Sequence, residues 1–327
     1  MPQFHIPTLI GADARRIPLA DGSVQCAVTS PPFLGLRKYD GTQDGIWGGN
    51  PDCDHQWGVE KKVRQSPQRD HKPGGGFAKT RGNERARRGM AFEASQGSLC
   101  DLCSAWRGAY GLEPTPDLYV SHSIEILREI RRVLKPDGVV FWNVDDSRNK
   151  KKGFALVPER LLLAAEADGW IIRSKIVWHK GNAMPESATD RPTDAYELIY
   201  VFAKSKRYYW DAAACREEAT SKDAGADGMR NMRNVWKISL QPSSGKHCAP
   251  FPEELARRCI SLASRPGDSI LDPFGGTGTS GAMAMELGRR SVLLDINYTG
   301  EGGYERVARE RFEKFLESQN MSLVPLK

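Results

Sequence analysis

The stretch Ser269-Ile270-Leu271-Asp272-Pro273-Phe274-Gly275-Gly276-Thr277-Gly278-Thr279 decides how this chain folds. Its short apolar start follows the turn residues Arg265-Pro266-Gly267-Asp268 and reads as a buried strand. The small-residue run Ser280-Gly281-Ala282-Met283-Ala284-Met285-Glu286-Leu287 reads as the helix that follows. Strand, glycine turn and helix open a nucleotide-binding βαβ unit. The glycines let backbone approach a ligand closely, and the helix N-terminus carries partial positive charge. A second strand, Ser291-Val292-Leu293-Leu294, ends at Asp295, where a carboxylate is placed to accept hydrogen bonds from ribose hydroxyls. No Lys follows the glycines, so the turn is not a phosphate-gripping P-loop. Taken alone, the segment is also compatible with an ordinary α/β turn.

Near the other end of the chain, Val24-Gln25-Cys26-Ala27-Val28 reads as a strand that stops at Thr29-Ser30-Pro31-Pro32-Phe33. The two prolines hold the chain extended and stiff. Ligands of open α/β sheets sit beyond the carboxyl ends of strands, so Ser30, the Pro31 carbonyl and Phe33 are expected to face a site. An exocyclic amine needs acceptors for its N–H groups before its lone pair can leave the ring and attack. Ser30 Oγ and the Pro31 carbonyl suit that purpose, and Phe33 offers a stacking face for an extruded base. A strand-ending turn with a buried Phe is the plainer alternative.

Taken together, and in this order, the two segments resemble the amino-methylating DNA methyltransferases of the permuted, beta-class arrangement, in which the catalytic motif precedes the cofactor loop. The resemblance implies an α/β Rossmann-like class I methyltransferase fold: a mostly parallel sheet with helices on both faces and circularly permuted motifs. It implies S-adenosylmethionine as cofactor, with DNA as the partner whose target base is flipped out. Ser30, Pro31, Pro32 and Phe33 become the expected catalytic residues. Thr29, Asp272, Pro273, Phe274, Gly275, Gly276, Gly278, Thr279, Asp295 and Asn297 become the expected cofactor contacts. Asp13, in Ile10-Gly11-Ala12-Asp13-Ala14-Arg15, matches an acid that contacts the cofactor adenine. His247-Cys248-Ala249-Pro250-Phe251-Pro252 resembles a segment that packs over the methionine end, which adds Phe251. Residues 126–138 (ILREIRRVLKPDG) resemble a family helix and turn leading into the strand Val139-Val140-Phe141-Trp142-Asn143-Val144; relatives often continue with Gly-Asp, where Asp145-Asp146 stands here. A homodimer and a cognate restriction endonuclease are partners the resemblance allows.

The rest of the sequence fits a single methyltransferase domain over 1–327 with two regions outside the resemblance. Residues 41–113 form a basic insertion: between Lys61 and Arg88 basic side chains greatly outnumber Asp70 and Glu84, and Gly74-Gly75-Gly76 lies midway. This stretch has too little apolar surface to fold alone and reads as a solvated loop or an arm that contacts phosphates. Cys53-x-His55 precedes it and Cys100-x-x-Cys103 follows it, a set of thiols and one imidazole suited to a structural zinc ion. Residues 205–246, with Tyr208, Tyr209, Trp210, Arg216, Arg230, Asn231, Arg233 and Asn234, are the expected target-recognition region, since Arg and Asn pair with guanine and adenine edges. A formal net charge of +6 agrees with a polyanionic partner. No apolar run spans a membrane and no signal peptide is evident, and the odd count of 7 cysteines argues against a disulfide framework. The expected compartment is the cytoplasm of a bacterium or phage host.

Three chemistries compete for the target. Cytosine C5 methylation needs a cysteine nucleophile, typically after Pro, and the chain contains no Pro-Cys pair. In the family, Ser before Pro-Pro goes mostly with cytosine N4, and Asp or Asn with adenine N6. A Ser hydroxyl is also able to donate to cytosine N3 while the Pro31 carbonyl accepts from N4. Cytosine N4 is therefore the expected target, with adenine N6 the alternative. A catalytically silent DNA-binding module has no need of both motifs, and an NAD enzyme has no use for Thr29-Ser30-Pro31-Pro32-Phe33.

Overall fold

A computed structural model describes residues 4–35, 44–65, 92–149, 153–183, 185–186, 188–219, 227–241, 252–298 and 303–318. At its centre lies an eight-stranded sheet. In chain order its strands are β1 (Thr8–Ile10), β2 (Val24–Thr29), β7 (Leu134–Val144), β8 (Ile171–His179), β9 (Tyr196–Ala203), β12 (Val235–Lys237), β13 (Ser269–Asp272) and β14 (Arg290–Leu294). In space they run β1-β14-β13-β2-β7-β9-β8-β12. β1, β14, β13, β2 and β7 are mutually parallel; β9 is antiparallel to both its neighbours; β12 runs parallel to β8. The expected α/β architecture and permuted order are therefore present: the strand ending in Thr29 comes early in the chain and sits beside the one ending in Asp272.

Strand β2 is buried along its whole length, as a central strand covered on both faces must be. Its side chains alternate between two cores. Val24 and Ala27 join Val140, Trp142 and Tyr200 on one face, while Cys26 and Val28 join Val139, Phe141 and Val201 on the other. The first face is covered by α1 (Pro116–Val133) and α2 (Val157–Ala167). The second is covered by α3 (Glu253–Ala263), α4 (Thr279–Glu286) and α5 (Tyr304–Ser318). Local signals fix α1: the Thr115 side chain accepts from Leu118 N at 3.2 Å, Pro116 occupies the first turn with Asp117, and Arg131 and Arg132 close the last turn. Its buried stripe includes Tyr119, Ile126, Leu127 and Ile130. No helix of the described residues is long and apolar enough to cross a membrane.

Two segments carry structure beyond the sequence expectation. The base of the basic insertion is a four-stranded antiparallel sheet, β3-β6-β5-β4, built from β3 (Gly45–Trp47), β4 (Lys61–Gln65), β5 (Phe92–Leu99) and β6 (Trp106–Gly108). The solvated-loop reading concerned residues 61–88, of which only Lys61–Gln65 are described, as β4; the sheet is anchored outside that stretch, by Trp47 and Trp106, both buried against α1. Residues 66–91, with most of the basic cluster and the three glycines, lie outside the described residues. The expected recognition region also contributes to the core. β10 (Arg216–Glu218) and β11 (Met229–Asn231) form a hairpin, and the chain then adds β12 to the central sheet, burying Trp236 and Ile238. Trp236 is 3 % exposed and donates its indole N–H to the Arg233 carbonyl at 2.9 Å. Trp236→Ala is accordingly expected to destabilise the fold by about 3–5 kcal/mol, the range for truncating a buried aromatic. Denaturant unfolding checks this, and a loss below roughly 0.5 kcal/mol, that of an ordinary surface change, would show that β12 is not part of the core.

Candidate functional site

Strand order reverses between the parallel strands β13 and β2. From β13 the chain crosses through α4 to β14 on one side, and from β2 it passes through α1 to β7 on the other. Such a switch point opens a crevice beyond the carboxyl ends of the two strands. Ile270 pairs with Cys26 and Leu271 with Ala27, so Asp272 and Thr29 finish side by side. Thr29 Oγ1 donates to Asp272 Oδ1 at 2.8 Å, Ser280 Oγ donates to Asp272 Oδ2 at 2.6 Å, and Phe274 N donates to Oδ1 at 3.1 Å. Burial pushes the Asp272 carboxyl up to about 6 against these three donors. Thr29 and Asp272, expected from sequence to contact cofactor, are thus engaged in joining the two motifs, and their side chains are buried there.

Each glycine of the loop has its own reason. A Cβ on Gly275 would lie 2.6 Å from Leu293 Cβ, and one on Gly278, at φ +81°, would lie 2.8 Å from Phe312. Gly276, at φ +47°, is different: a Cβ there would meet nothing nearer than the Phe274 carbonyl at 3.9 Å. Gly275 and Gly278 are therefore required by packing, whereas Gly276 presents backbone to open space. Gly276 N donates to Asp295 Oδ2 at 3.1 Å and Asn297 N to Asp295 Oδ1 at 2.8 Å. Burial raises the Asp295 carboxyl above its ordinary value. Thr279 Oγ1, at the start of α4, is buried without a hydrogen-bond partner among the described residues. An orphaned hydroxyl, open backbone at Gly276 and an acid at the end of β14 together fit a ligand carrying ribose hydroxyls and polar groups.

The proline motif is held from beneath. Ser30 Oγ donates to Asn143 Oδ1 at 2.8 Å, and Asn143 Nδ2 donates to the Leu198 carbonyl at 3.1 Å. The carbonyl fixes which end of the amide faces Ser30, so the hydroxyl proton is already committed. Of the two roles the sequence left open for Ser30, donating to a base or accepting from it, this arrangement favours the acceptor. Tyr119 Oη donates to the Pro32 carbonyl at 3.0 Å, and Gly35 N donates to the Gly111 carbonyl at 2.7 Å. Gly111 sits at φ +90°, where a Cβ would lie 2.9 Å from Pro32 Cβ. Pro31 is buried, and Pro32 and Phe33 are half-buried. Among the described residues no hydrogen bond occupies the Pro31 carbonyl.

Around this pair of motifs runs a column of rings. Phe274 stacks on Tyr110 at 5.6 Å, Tyr110 on Tyr119 at 5.0 Å and on Trp47 at 5.3 Å, and Trp47 on His122 at 4.7 Å. His122 Nδ1 is 3.0 Å from Glu113 Oε1, and burial raises that carboxyl despite the partner. Arg15 lies 3.8 Å over Trp47 and grips Asp13 through its backbone N–H and guanidinium, the closest contact being 2.6 Å. Burial works against the Asp13 charge, but the Arg15 hydrogen bonds outweigh it and hold the carboxyl below its usual value. Asp13 is therefore held by Arg15, which in turn rests on Trp47 of the insertion sheet. Asn143, Tyr119, Gly111 and Arg15 were not singled out from sequence; only their long-range partners reveal them.

Other expectations divide. Cys53, His55, Cys100 and Cys103 converge, with ligand atoms all within 4.8 Å of one another. Three arginines of the expected recognition region are paired internally: Arg216 with Asp227, and Arg230 and Arg233 with Glu217. Tyr209 lies under Arg265 at 3.7 Å and Trp210 stacks on Phe141 at 6.0 Å, so these rings pack on the body. Asp145 follows β7; burial raises it to about 6, with Glu197 adding to the effect. Asp146 accepts from the backbone of Ser147, Leu156 and Val157 and so shapes the turn into α2. Phe251 and the rest of residues 247–251 lie outside the described residues.

Comparison with known proteins shows the family to which the chain belongs. The family of DNA methylases that modify N6 and N4 amino groups matches residues 24–299, and the chain belongs to that family. The Citrobacter freundii Type II methyltransferase M.Cfr9I is 32% identical over 322 residues, covering 89% of this chain and 83% of that protein. The cytosine-N4-specific PvuII DNA methyltransferase superposes with a TM-score of 0.58 at 15% identity, over 96% of this chain and 94% of its own. A DNA modification methylase from Thermus thermophilus, solved with S-adenosyl-L-methionine, superposes with a TM-score of 0.55 at 19% identity, over 95% of this chain and 94% of its own. The fold is that of a class I methyltransferase.

The buried joint generates a pH test. Burial alone makes the folded state favour protonated Asp272, a contribution lost as pH rises through about 6. The Thr29 hydrogen bond acts oppositely, because it is strongest to the ionised carboxylate. Thr29→Val is expected to destabilise by about 1.5–3 kcal/mol well above that pH, with the difference shrinking as pH falls below it. Unfolding curves at the two pH extremes decide the matter; a difference independent of pH would mean that the bond does not depend on the charge.

Proposed function

We propose that this chain transfers the methyl group of S-adenosylmethionine to the exocyclic N4 of cytosine in double-stranded DNA. The observation that carries this reading is the Ser30–Asn143–Leu198 chain, which presents the Ser30 hydroxyl as an acceptor beside the Pro31 carbonyl. Two acceptors facing one amine hold its hydrogens and turn its lone pair out of the ring plane. The Ser in this motif, where adenine-modifying relatives mostly carry Asp or Asn, favours cytosine, and the PvuII enzyme of similar fold is cytosine-N4-specific. S-adenosylmethionine supplies an electrophilic methyl group on sulfur. Asp295, the Gly276 backbone and Thr279 are the proposed contacts for it, with Pro273, Phe274, Asn297 and Asp13 around them.

The protein's part is positioning. The target amine is out of reach within the base stack, so the base is extruded and stacked on Phe33. Ser30 and Pro31 then aim the nitrogen along the line of attack, which replaces a bimolecular encounter by an oriented one. The same acceptors stabilise positive charge as it grows on nitrogen. Once methylated, that nitrogen is acidic enough to release its proton to water, so a strong base is not required.

Mass analysis of nucleosides from methylated DNA is expected to give N4-methylcytosine; N6-methyladenine alone would replace this assignment by the adenine one. Ser30→Ala is expected to leave S-adenosylmethionine affinity within about twofold while cutting turnover by roughly 10²-fold or more, the scale of one preorganised group. Loss of cofactor binding instead would put Ser30 in the wrong half of the site. Asp295→Ala removes a charge-assisted contact of roughly 1.5–3 kcal/mol and is expected to weaken S-adenosylmethionine about tenfold or more. Calorimetry showing an unchanged Kd would reject that contact.

A further inference from the structure

We propose that Cys53, His55, Cys100 and Cys103 bind one structural zinc ion that clamps the insertion sheet onto the catalytic body. The inference does not depend on which base is methylated. Cys53 and His55 lie in the loop after β3, and Cys100 and Cys103 in the turn between β5 and β6. Cys53 Sγ is 3.9 Å from Cys100 Sγ, and Cys103 Sγ is 3.4 Å from His55 Nδ1. A tetrahedron with zinc–sulfur bonds of about 2.3 Å places neighbouring sulfurs about 3.8 Å apart. A disulfide would need them at about 2.05 Å. The spacing is thus that of ligands around a common ion.

The surrounding backbone is built for the cluster. Leu102 N donates to Cys100 Sγ at 3.4 Å, an interaction that favours a thiolate. Ser104 turns the knuckle at φ +60°, and Cys100 N closes it on the Ala105 carbonyl at 2.7 Å. Gly49, at φ +71°, brings the β3 loop so near that a Cβ would lie 2.9 Å from Cys103 Sγ and 2.6 Å from Ala105 Cβ. Asp101 N donates to the Gln56 carbonyl at 2.8 Å, lacing the two halves together. Four protein ligands leave no open position for substrate or water, so the ion is structural.

The clamp has a consequence at the site. β3 carries Trp47 and β6 carries Trp106, and these rings flank His122 at 4.7 and 5.5 Å. Trp47 in turn supports Arg15, which grips Asp13. A three-residue strand holds such a ring in place only if its loop is tied down, and the loop's own apolar contacts are few.

The full chain, purified without chelator, is expected to contain about one zinc per molecule by elemental analysis. Cobalt substitution is expected to give the intense visible bands of a tetrahedral thiolate site. Cys100→Ser should abolish both, while Cys215→Ser, at a half-buried cysteine on the opposite side of the sheet, should preserve them. Chelation should lower the melting temperature by several degrees and quench any difference in Trp fluorescence between wild type and Cys100→Ser. Should Cys100→Ser fail to fold, the zinc content and cobalt spectrum of the unsubstituted chain still decide. Zinc well below one per molecule together with an octahedral cobalt spectrum overturns the proposal, as does full zinc retention by soluble Cys100→Ser.

Discussion

The buried carboxylate of Asp272 is the constraint from which the site follows. It receives Thr29 from the end of β2, the Phe274 backbone from its own loop and Ser280 from the first turn of α4. Those partners come from segments 243 residues apart in the chain. An ionised group this deeply buried is costly unless donors surround it. The cost enforces geometry: if β2 slides relative to β13, Asp272 loses a donor it cannot replace from solvent. The register that keeps the carboxylate satisfied also sets the proline motif and the glycine loop at a fixed separation. In the proposed reaction, methyl transfer between a base held by one and a cofactor held by the other depends on that separation.

A second layer of support comes from what is inserted between those strands. Residues 109–113 pass beneath the proline motif, where Gly111 lies against Pro32 and Glu113 accepts from Gly111 N at 2.8 Å. Tyr119 from α1 reaches the Pro32 carbonyl, and the ring column from Phe274 through Tyr110 to Trp47 ties both motifs to the small sheet. The insertion is thus continuous with the catalytic body at its base. This continuity explains why a segment so poor in apolar residues carries two buried tryptophans.

The parts legible in the sequence were those with local chemistry. Strand β13, its glycine turn and Asp295 announce themselves through composition within a few residues, and Thr29-Ser30-Pro31-Pro32-Phe33 does so through stiff prolines after an apolar run. The paired cysteine and histidine motifs were legible for the same reason, since ligand type and spacing are local. Less legible was anything defined by a distant partner. β12 is a three-residue strand set among charged residues, and only its alignment with β8 buries Trp236. Arg216, Arg230 and Arg233 looked available for base contacts because Asp227 and Glu217, which hold them, are neighbours only in the folded hairpin. Asn143 lay unnoticed in an apolar strand because its importance rests on Ser30 and Leu198.

That asparagine alters how the chemistry is understood. A free serine hydroxyl is ambivalent, able to donate or accept, and an ambivalent group does not hold an amine in one orientation. By accepting the Ser30 hydrogen bond while its own amide is fixed on the Leu198 carbonyl, Asn143 would, in the proposed reaction, remove the ambiguity before any base arrives. The bond is made within the protein, so its organisation is settled on folding rather than at the moment of reaction, which is where preorganised acceptors gain over water. A carboxylate in place of Ser30 would bring a full charge next to the Asn143 carbonyl oxygen and would have no proton to give it. The amide and the hydroxyl are therefore matched.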